Sequence, residues 1–414
     1  MRILLLFLFL LVSNLAFLQE IASITYTGLK RSKIDALQRL TLLQPGDSLQ
    51  LETLSADLRR LSNSAGIYQA SYSLDTLPDG IHVVFELREG ITRYPIALLG
   101  GLENNLWWEL GYEDQNWQGR GNTMTFLTRQ VDGRLGGKIA YRQNYFRHHN
   151  WGFGLQLERY ASQEPLYFGD EQVDYLYDNH NLGLNWKYFF HPEEDIQLGY
   201  TYFQEDYAKV NLEQAPGPEA RTERKQLIRI GYHLRKLHYD LYQISGFDLT
   251  LSSEVVLQPE ESLPFYLLRA IWRKYRPSAQ RGLFATRISL GYSANKNTPF
   301  APFVVDSRVN IRGSGNRVDR GTAAIVFNLE YRYLLFEQPW MGLQVVAFMD
   351  IGSWRNPGGE ITDVLERDNL QYFIGGGLRI VFPKAPQAML RLDYGYGLNP
   401  AGINGIVVGL GQYF

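Results

Sequence analysis

A long, regular alternation between apolar and polar positions dominates the last third of the sequence. From Ala323 to Leu335 every odd position is apolar or aromatic, and the even positions include Asn328, Glu330 and Arg332. A strand that crosses a membrane in a barrel needs roughly 9–11 residues, with one face in lipid and the other in a polar lumen. Strands of soluble sandwiches are usually shorter than this stretch. The alternation therefore predicts a membrane-spanning strand.

The same alternation recurs from residue 106 to Phe414. It marks sixteen segments, and bacterial single-chain barrels have even strand numbers. The segments are 106–115, 122–132, 135–146, 151–162, 178–190, 195–208, 224–235, 247–257, 264–276, 282–293, 301–309, 322–335, 341–353, 370–382, 388–398 and 404–414. The pattern predicts a transmembrane β-barrel of sixteen antiparallel strands over residues 106–414. With the N-terminus in the periplasm, the long connections 163–177 and 209–223 fall on the periplasmic side, against the usual asymmetry of such barrels.

The chain opens with a charged start and an apolar run. Met1-Arg2 precedes Ile3–Val12, a stretch without polar residues. A positive start followed by about ten apolar residues is typical of a signal peptide and too short for a spanning helix. We expect a signal peptide over residues 1–16, although the cleavage site is poorly marked.

Residues 21–92 show a different pattern, in which helical periods lie between short strands. Four leucines from Leu51 to Leu61 repeat at spacings of three and four, which places them on one helix face. A shorter helix and one strand precede this helix, and a predicted hairpin follows it. The order β-α-α-β-β predicts a small α+β domain, with residues 93–105 as the linker to the barrel.

Composition narrows the function classes. A net charge of −2 gives no case for a nucleic-acid partner. The absence of cysteine excludes a disulfide framework and a thiolate metal site. The 27 Tyr, 22 Phe and 8 Trp suit aromatic belts at the two membrane–water interfaces, with an aromatic-rich all-β sandwich as the soluble alternative. The sequence has no Gly-x-Ser-x-Gly motif and no metal-ligand pattern of histidines, so we expect no enzyme, no cofactor and no metal site.

Several short motifs in the last hundred residues occur in a fixed order. Ile311-Arg312-Gly313 lies in a predicted connection, Gly321 opens the next strand, and Phe348–Gly352 reads Phe-x-Asp-x-Gly. In this order they resemble the BamA/TamA superfamily of outer-membrane proteins, the bacterial surface antigen family. The domain at 21–92 is similar to a polypeptide-transport-associated (POTRA) domain, so the resemblance implies a short form with a single POTRA domain. Ser314 departs from the pattern, because the family usually has an aromatic residue there.

The resemblance implies that the connection around Arg312 folds into the barrel lumen. Strand parity directs five charged residues to the same lumen: Asp350, Glu330, Arg332, Arg391 and Asp393. A guanidinium and a carboxylate can pair there through two parallel hydrogen bonds. We hypothesise an Arg312–Asp350 pair, with Glu330 as second choice and Gly313 allowing a close backbone approach. The alternative is that Arg312 lies in a solvated external turn and Asp350 lines a wet pore.

The last predicted strand, 404–414, suggests a seam in the barrel. Gly409 and Gly411 would loosen its packing, and Phe414 resembles the terminal aromatic that many outer-membrane barrels carry as a sorting signal. The functional hypothesis is a lateral seam between 106–115 and 404–414, to which a client strand adds.

The resemblance implies a protein of the outer membrane, with its N-terminal domain in the periplasm, that inserts or translocates polypeptides. The implied partners are client polypeptides, outer-membrane lipids, and periplasmic chaperones or accessory proteins, with no nucleic acid. Two alternatives stay open. One is a secretion pore for a single partner polypeptide, of the two-partner-secretion type, and the other is a passive diffusion porin.

Overall fold

The computed structural model describes residues 20–64, 66–100, 107–131, 133–144, 150–168, 171–191, 193–211, 216–240, 243–258, 263–297, 301–306, 310–314, 318–384, 389–398, 404–410 and 413–414. The chain forms two compact units. The first extends to Gly90 and includes Gln118–Arg120, and the second comprises the remaining residues from Ile91 to Phe414. The predicted signal peptide (1–16) lies outside the described residues.

The N-terminal unit has the predicted order β-α-α-β-β. Its elements are β1 (Ile21–Thr27), α1 (Ile34–Gln38), α2 (Leu51–Ser62), β2 (Ile67–Leu77) and β3 (Gly80–Glu89). β3 lies in the middle of a three-stranded sheet, parallel to β1 and antiparallel to β2. Alternate residues of β3 are buried, because one face of the sheet packs on the leucine face of α2. The core consists of Ile21, Tyr26, Leu37, Leu43, Leu54, Leu61, Ile67, Ile81, Val83, Phe85 and Leu87.

A buried carboxylate fixes the loop that joins the two helices. Asp57 on α2 is fully buried, and its two oxygens accept the backbone N–H of Leu42 at 2.9 and 3.0 Å and that of Leu43 at 2.9 Å. Arg60 pairs with the same carboxylate from the next turn of the helix. Asp57 therefore satisfies backbone donors that the helix–helix connection would otherwise leave unpaired.

A second carboxylate fixes the loop after β1. Glu89 accepts the backbone N–H groups of Lys30 at 3.0 Å, Arg31 at 2.8 Å and Ser32 at 2.7 Å. Partial burial raises the pKa of Glu89, but these hydrogen bonds lower it more, so its pKa lies below its ordinary value. The ionised form of Glu89 is the form that holds the loop.

The C-terminal unit is built on one sixteen-stranded antiparallel sheet. Its strands run in chain order, each paired with the next, except that β15 and β16 form a separate hairpin. The strands are β4 (Arg93–Gly100), β5 (Trp107–Trp117), β6 (Asn122–Val131), β7 (Arg134–Gln143), β8 (Trp151–Phe168), β9 (Glu171–His191), β10 (Glu194–Lys209), β11 (Ala220–Asp240), β12 (Gln243–Leu257), β13 (Phe265–Ser278), β14 (Gly282–Ser293), β15 (Phe303–Asp306), β16 (Val318–Gly321), β17 (Ala323–Gln338), β18 (Met341–Arg355), β19 (Gln371–Val381), β20 (Leu390–Gly397) and β21 (Asn404–Leu410). A 3₁₀ turn, Ile361–Leu365, lies between β18 and β19.

The two faces of the large sheet differ as the alternation predicts. On β17, Ile325 and Leu335 are exposed, whereas Asn328, Glu330 and Arg332 are buried. We call the face that carries these buried polar residues the inner face and the opposite one the outer face. Large apolar side chains are exposed at alternate positions on most strands of the sheet, so the outer face is a broad apolar surface.

The number of strands is as predicted, but two of the assignments were wrong. Residues 93–100, placed in the predicted linker 93–105, form β4, which pairs with β5. Pro95 is tolerated there because β4 lies at the edge of the sheet. The predicted strand 301–309 does not join the large sheet, because β15 pairs only with β16 in the described part of the chain.

The sheet begins with β4, which was not predicted, and omits the predicted strand 301–309. Every strand from β5 to β14 therefore runs opposite to its predicted direction. The predicted periplasmic connections 163–177 and 209–223 now lie at the end of the sheet opposite to the start of β4. Most of 163–177 is strand, and so are both ends of 209–223, because β8, β9, β10 and β11 are 18, 21, 16 and 21 residues long. The connections at the end where β4 starts include the short turns β9–β10 and β17–β18. With the N-terminus in the periplasm, as predicted, both connections would lie on the extracellular side, where such barrels carry their longer loops.

In the described part of the chain, no helix is long and apolar enough to cross a bilayer.

A buried arginine network on the inner face

The connection between β14 and β17 packs on the inner face of the sheet. Its described segment 310–314 is largely buried, and the side chain of Arg312 has no exposed surface. Ile311 anchors the segment in an apolar cluster with Val305, Trp354 and Phe373. The connection is therefore held against β17, β18 and β19 and is not a solvated external turn.

Arg312 forms the predicted pair with Asp350 of β18. Its Nε donates to Asp350 Oδ2 and its Nη2 to Asp350 Oδ1, both at 2.9 Å. The backbone N–H of Arg312 also donates to Asp350 Oδ2 at 2.9 Å. Three donors of one residue thus meet one carboxylate, so Asp350 fixes both the guanidinium and the backbone of the loop.

Glu330 of β17 extends this pair into a network. It accepts from Nη1 of Arg312 and from Nε of Arg332, and Nη2 of Arg379 lies 3.5 Å from its Oε2. Arg379 also donates to Asp393. The carboxylates of neighbouring strands therefore share guanidinium groups, which offsets much of the cost of burying the charges.

A polar side chain supports Asp350 from the other side. Asn328 donates to Asp350 Oδ1 at 2.7 Å and to the backbone oxygen of Asn310 at 2.8 Å. Arg287 of β14 donates to Asn328 Oδ1 at 2.8 Å, which fixes the orientation of the amide. Asn328 thus ties the loop backbone and the central carboxylate to one strand.

Two aromatic rings lie close to the Arg312 guanidinium. Its Cζ lies 3.7 Å from the ring centroid of Phe348 and 4.5 Å from that of Tyr413. A cation near aromatic ring faces in a dry site gains from the negative potential of those faces.

Close backbone packing explains two glycines of the site. Gly313 has φ +97°, a conformation that favours glycine, and a Cβ built on it would lie 2.6 Å from the Cα of Gly395. A Cβ built on Gly395 would lie 2.3 Å from the backbone oxygen of Arg312. Neither backbone can move away without breaking a strand or the Arg312–Asp350 bonds, so both positions require glycine.

The structure brings together the predicted loop-to-lumen residues Arg312, Gly313, Glu330, Arg332 and Asp350. Two further residues of the family motif also touch the loop: Phe348 lies under Arg312, and Gly352 lies under Ile311. Gly321 ends β16, just before β17. Ser314, where the family usually has an aromatic residue, is buried, and its hydroxyl donates to the backbone oxygen of Ile311 at 3.2 Å.

The predicted seam residues are placed differently. Gly409 lies in β21 opposite Arg391 of β20, whereas Gly411 falls outside the described residues. Phe414 is not in a strand, and it is buried in an apolar cluster with Tyr275 and Leu283. The predicted strand 404–414 was therefore wrong in including Phe414. The predicted seam strand 106–115 is also wrong, because β5 is paired on both sides, with β4 and β6.

Four members of the network were not among the predicted site residues: Arg287, Asn328, Arg379 and Tyr413. Asn328 and Arg379 stand at inner-face positions of alternating strands, as Glu330 and Arg391 do, so parity alone could have included them. Nothing in the local pattern marks Tyr413, because its contacts come from strands far away in the sequence.

The chain belongs to the Omp85 superfamily, since the Omp85 superfamily domain matches residues 116–414. No curated protein gives a significant match by sequence.

The fold is also similar to solved structures of low sequence identity. One is BamA from Haemophilus ducreyi lacking POTRA domains 1-3, at 14% identity and TM-score 0.55, with 95% of this chain and 84% of that chain covered. CdiB from Acinetobacter baumannii gives 12% identity and TM-score 0.62, covering 95% of this chain and 73% of that chain. CdiB from Escherichia coli gives 12% identity and TM-score 0.63, covering 94% of this chain and 75% of that chain.

Proposed function

We propose that this chain is an outer-membrane β-barrel that inserts or translocates polypeptides. Membership of the Omp85 superfamily and the likeness to BamA and CdiB support this function. The broad apolar outer face fits a hydrocarbon environment. Strands such as β5, with 11 residues, are long enough to cross at the tilt that barrels adopt. The mechanism needs no cofactor and no covalent chemistry.

The N-terminal unit is proposed to be a single POTRA domain in the periplasm. Its β-α-α-β-β order and its three-stranded sheet support this interpretation. In the described residues β2 pairs only with β3, and Tyr72, Leu74 and Leu77 are exposed on it. Such an edge can accept an extended client segment by strand addition. With this domain in the periplasm, the long hairpins β8–β9 and β10–β11 would lie on the extracellular side of the membrane.

The observation that carries the proposal is the state of the two end strands of the large sheet. Among the described residues, β4 pairs only with β5 and β21 only with β20, so each has one edge without a ladder partner. An unpaired strand edge presents backbone N–H and C=O groups to an added strand, so a client strand can add there. The proposed seam therefore lies between β4 and β21.

Site-specific photo-crosslinking tests the seam. A photoreactive residue at Ala97 of β4 or Val408 of β21 is expected to capture polypeptide in cells, because both positions are exposed on the end strands. The same residue at Ile230, exposed in the middle of the sheet on β11, is the matched control. Many captured barrel proteins would indicate insertion, and one captured species would indicate a secretion pore. Equal capture at Ile230 would contradict a seam.

Conductance separates these functions from a passive porin. The packed Arg312 network on the inner face supports a pore that is closed at rest. The unaltered protein in planar bilayers is expected to conduct little, and Arg312→Ala is expected to conduct more. A large, steady conductance of the unaltered protein would favour the porin instead.

A further inference from the structure

The last two residues of the sequence leave the register of the sheet. Neighbouring residues of a strand face opposite sides, yet Tyr413 and Phe414 are both 7% exposed. Their rings lie 6.2 Å apart and nearly perpendicular, at 70°. Since β21 ends at Leu410, this aromatic pair has turned onto the inner face.

Phe414 reaches strands that are distant from β21 in the sheet. It belongs to an apolar cluster with Ile244, Tyr275, Leu283 and Ala285, which lie on β12, β13 and β14. Five pairings separate β14 from β21 in the strand order, so this contact crosses the inner face and is not one between neighbouring strands. The cluster gives Phe414 an apolar socket that a solvent-exposed chain end would not need.

Tyr413 lies at the centre of the arginine network. Its ring centroid is 4.5 Å from Cζ of Arg312, 4.8 Å from that of Arg391 and 5.5 Å from that of Arg287. The ring of Phe348 also lies close to the Arg312 guanidinium, 3.7 Å from its Cζ. Removal of the Tyr413 ring would take away one of the two aromatic contacts of this buried cation.

We propose that Tyr413 and Phe414 form an aromatic latch that holds the Arg312 loop on the inner face and couples it to β21. Phe414 seats the latch in its socket, and Tyr413 closes over the guanidinium. Displacement of β21 withdraws the latch, and the loop then loosens. By linkage, a loosened loop also frees β21. The latch depends only on contacts within this chain, so it holds whether or not the barrel handles polypeptides.

Cysteine labelling tests the anchoring role, because the chain has no cysteine of its own. Ser314→Cys places a reporter in the loop at a position that is 2% exposed, so a maleimide should react slowly. Tyr413→Ala is expected to speed labelling about tenfold, whereas Tyr413→Phe keeps the ring and the slow rate. Tyr396→Ala, which removes an exposed tyrosine from β20, is the matched control. An unchanged rate in folded Tyr413→Ala overturns the proposal.

A cross-linking test covers the case in which Tyr413→Ala does not fold. The pair Ala285→Cys and Phe414→Cys is expected to react with a short bifunctional maleimide, because both residues belong to the same buried cluster. The pair Leu290→Cys and Phe414→Cys should not cross-link, since Leu290 is exposed on the outer face of the same strand. Cross-linking of the second pair, or of neither, contradicts the seating of Phe414 on the inner face.

Discussion

Buried carboxylates hold loops in both units of the molecule, but they do so with different partners. Asp57 in the N-terminal unit meets backbone N–H groups of a nearby connection. Asp350 in the C-terminal unit meets a backbone N–H as well, but also a fully buried guanidinium whose residue lies 38 positions away in the sequence. The first is a local cap, and the second is the centre of a network.

This difference sets the cost of losing each carboxylate. When Asp57 is removed, the amides of the connection lose their acceptor and Arg60 loses its partner. Arg60 is partly exposed, so water can solvate its charge in part. When Asp350 is removed, Arg312 keeps its charge in a site without solvent, and the charge balance around Glu330 changes as well. We therefore expect the C-terminal unit to be the more sensitive of the two to a single carboxylate substitution.

The largest effect is expected for Asp350→Ala. Removing one partner of a buried ion pair costs about 3–5 kcal/mol, and here the loop backbone loses an acceptor too. The measurement is the urea midpoint in detergent micelles, read from the heat-modifiable mobility of the folded protein. Asp368→Asn, on an exposed residue of the β18–β19 connection, is the control. A loss no larger than that of the control would contradict the network.

A backbone test of the same region is Gly395→Ala. The added Cβ would lie 2.3 Å from the oxygen of Arg312, so the loop must move off the sheet. Overpacking of this kind costs about 1–3 kcal/mol, and we expect the urea midpoint to fall accordingly. Gly231→Ala on β11 is the matched control, because its nearest contact would be an ordinary 3.6 Å. Equal midpoints for the two variants would show that the loop is not held where we place it.

The sequence predicts the network better than it predicts the seam. Asp350, Glu330 and Arg332 lie on long strands whose alternation fixes the facing of every side chain, so their shared face could be inferred from parity. β4 carries Pro95 and shows no clear alternation, so its sequence does not mark it as a strand. The proline is tolerated because β4 is an edge strand in the described sheet. Parity also fails at Tyr413 and Phe414, which lie outside a strand and are positioned by tertiary contacts.

One missed strand had a large consequence because strand direction accumulates along the chain. The short apolar segment Phe303–Asp306 has the composition of a strand and is one, but it belongs to the loop hairpin. With this segment in the sheet instead of β4, the predicted number of strands stays at sixteen, but the predicted direction of β5 to β14 is reversed. Local pattern can identify a strand, whereas its sheet is decided by pairing.

In the N-terminal unit, Asp57→Ala should have a smaller effect. It removes the acceptor of Leu42 and Leu43 from a buried site, at about 1–2 kcal/mol. Protection of these amides, followed by hydrogen–deuterium exchange of the full-length protein, should fall about tenfold or more. Asp35→Ala on the exposed side of α1 is the control. If Asp57→Ala proved costlier than Asp350→Ala, the contrast between cap and network would be wrong.

The smallest effect is a pH dependence of the N-terminal unit that comes from Glu89. The pKa of Glu89 is lowered in the folded state from its ordinary value of 4.5, because the backbone hydrogen bonds of the 30–32 loop favour the carboxylate despite partial burial. A lowered pKa means that the stabilisation is complete above the unfolded-state pKa and is lost as the pH falls through the folded-state value.

Glu89→Gln cannot ionise, so it should remove this dependence. The exchange rates of the amides of residues 30–32, expressed as the ratio of variant to unaltered protein at each pH, should give a high ratio near neutrality. The ratio should approach one as the pH falls through the lowered folded-state pKa of Glu89. The ratio cancels the intrinsic pH dependence of exchange. Glu86→Gln, on the same strand but with a carboxylate that accepts no backbone N–H among the described residues, should give a flat ratio. A flat ratio for Glu89→Gln as well would contradict this role, because the 30–32 loop would then be held by groups other than the Glu89 carboxylate.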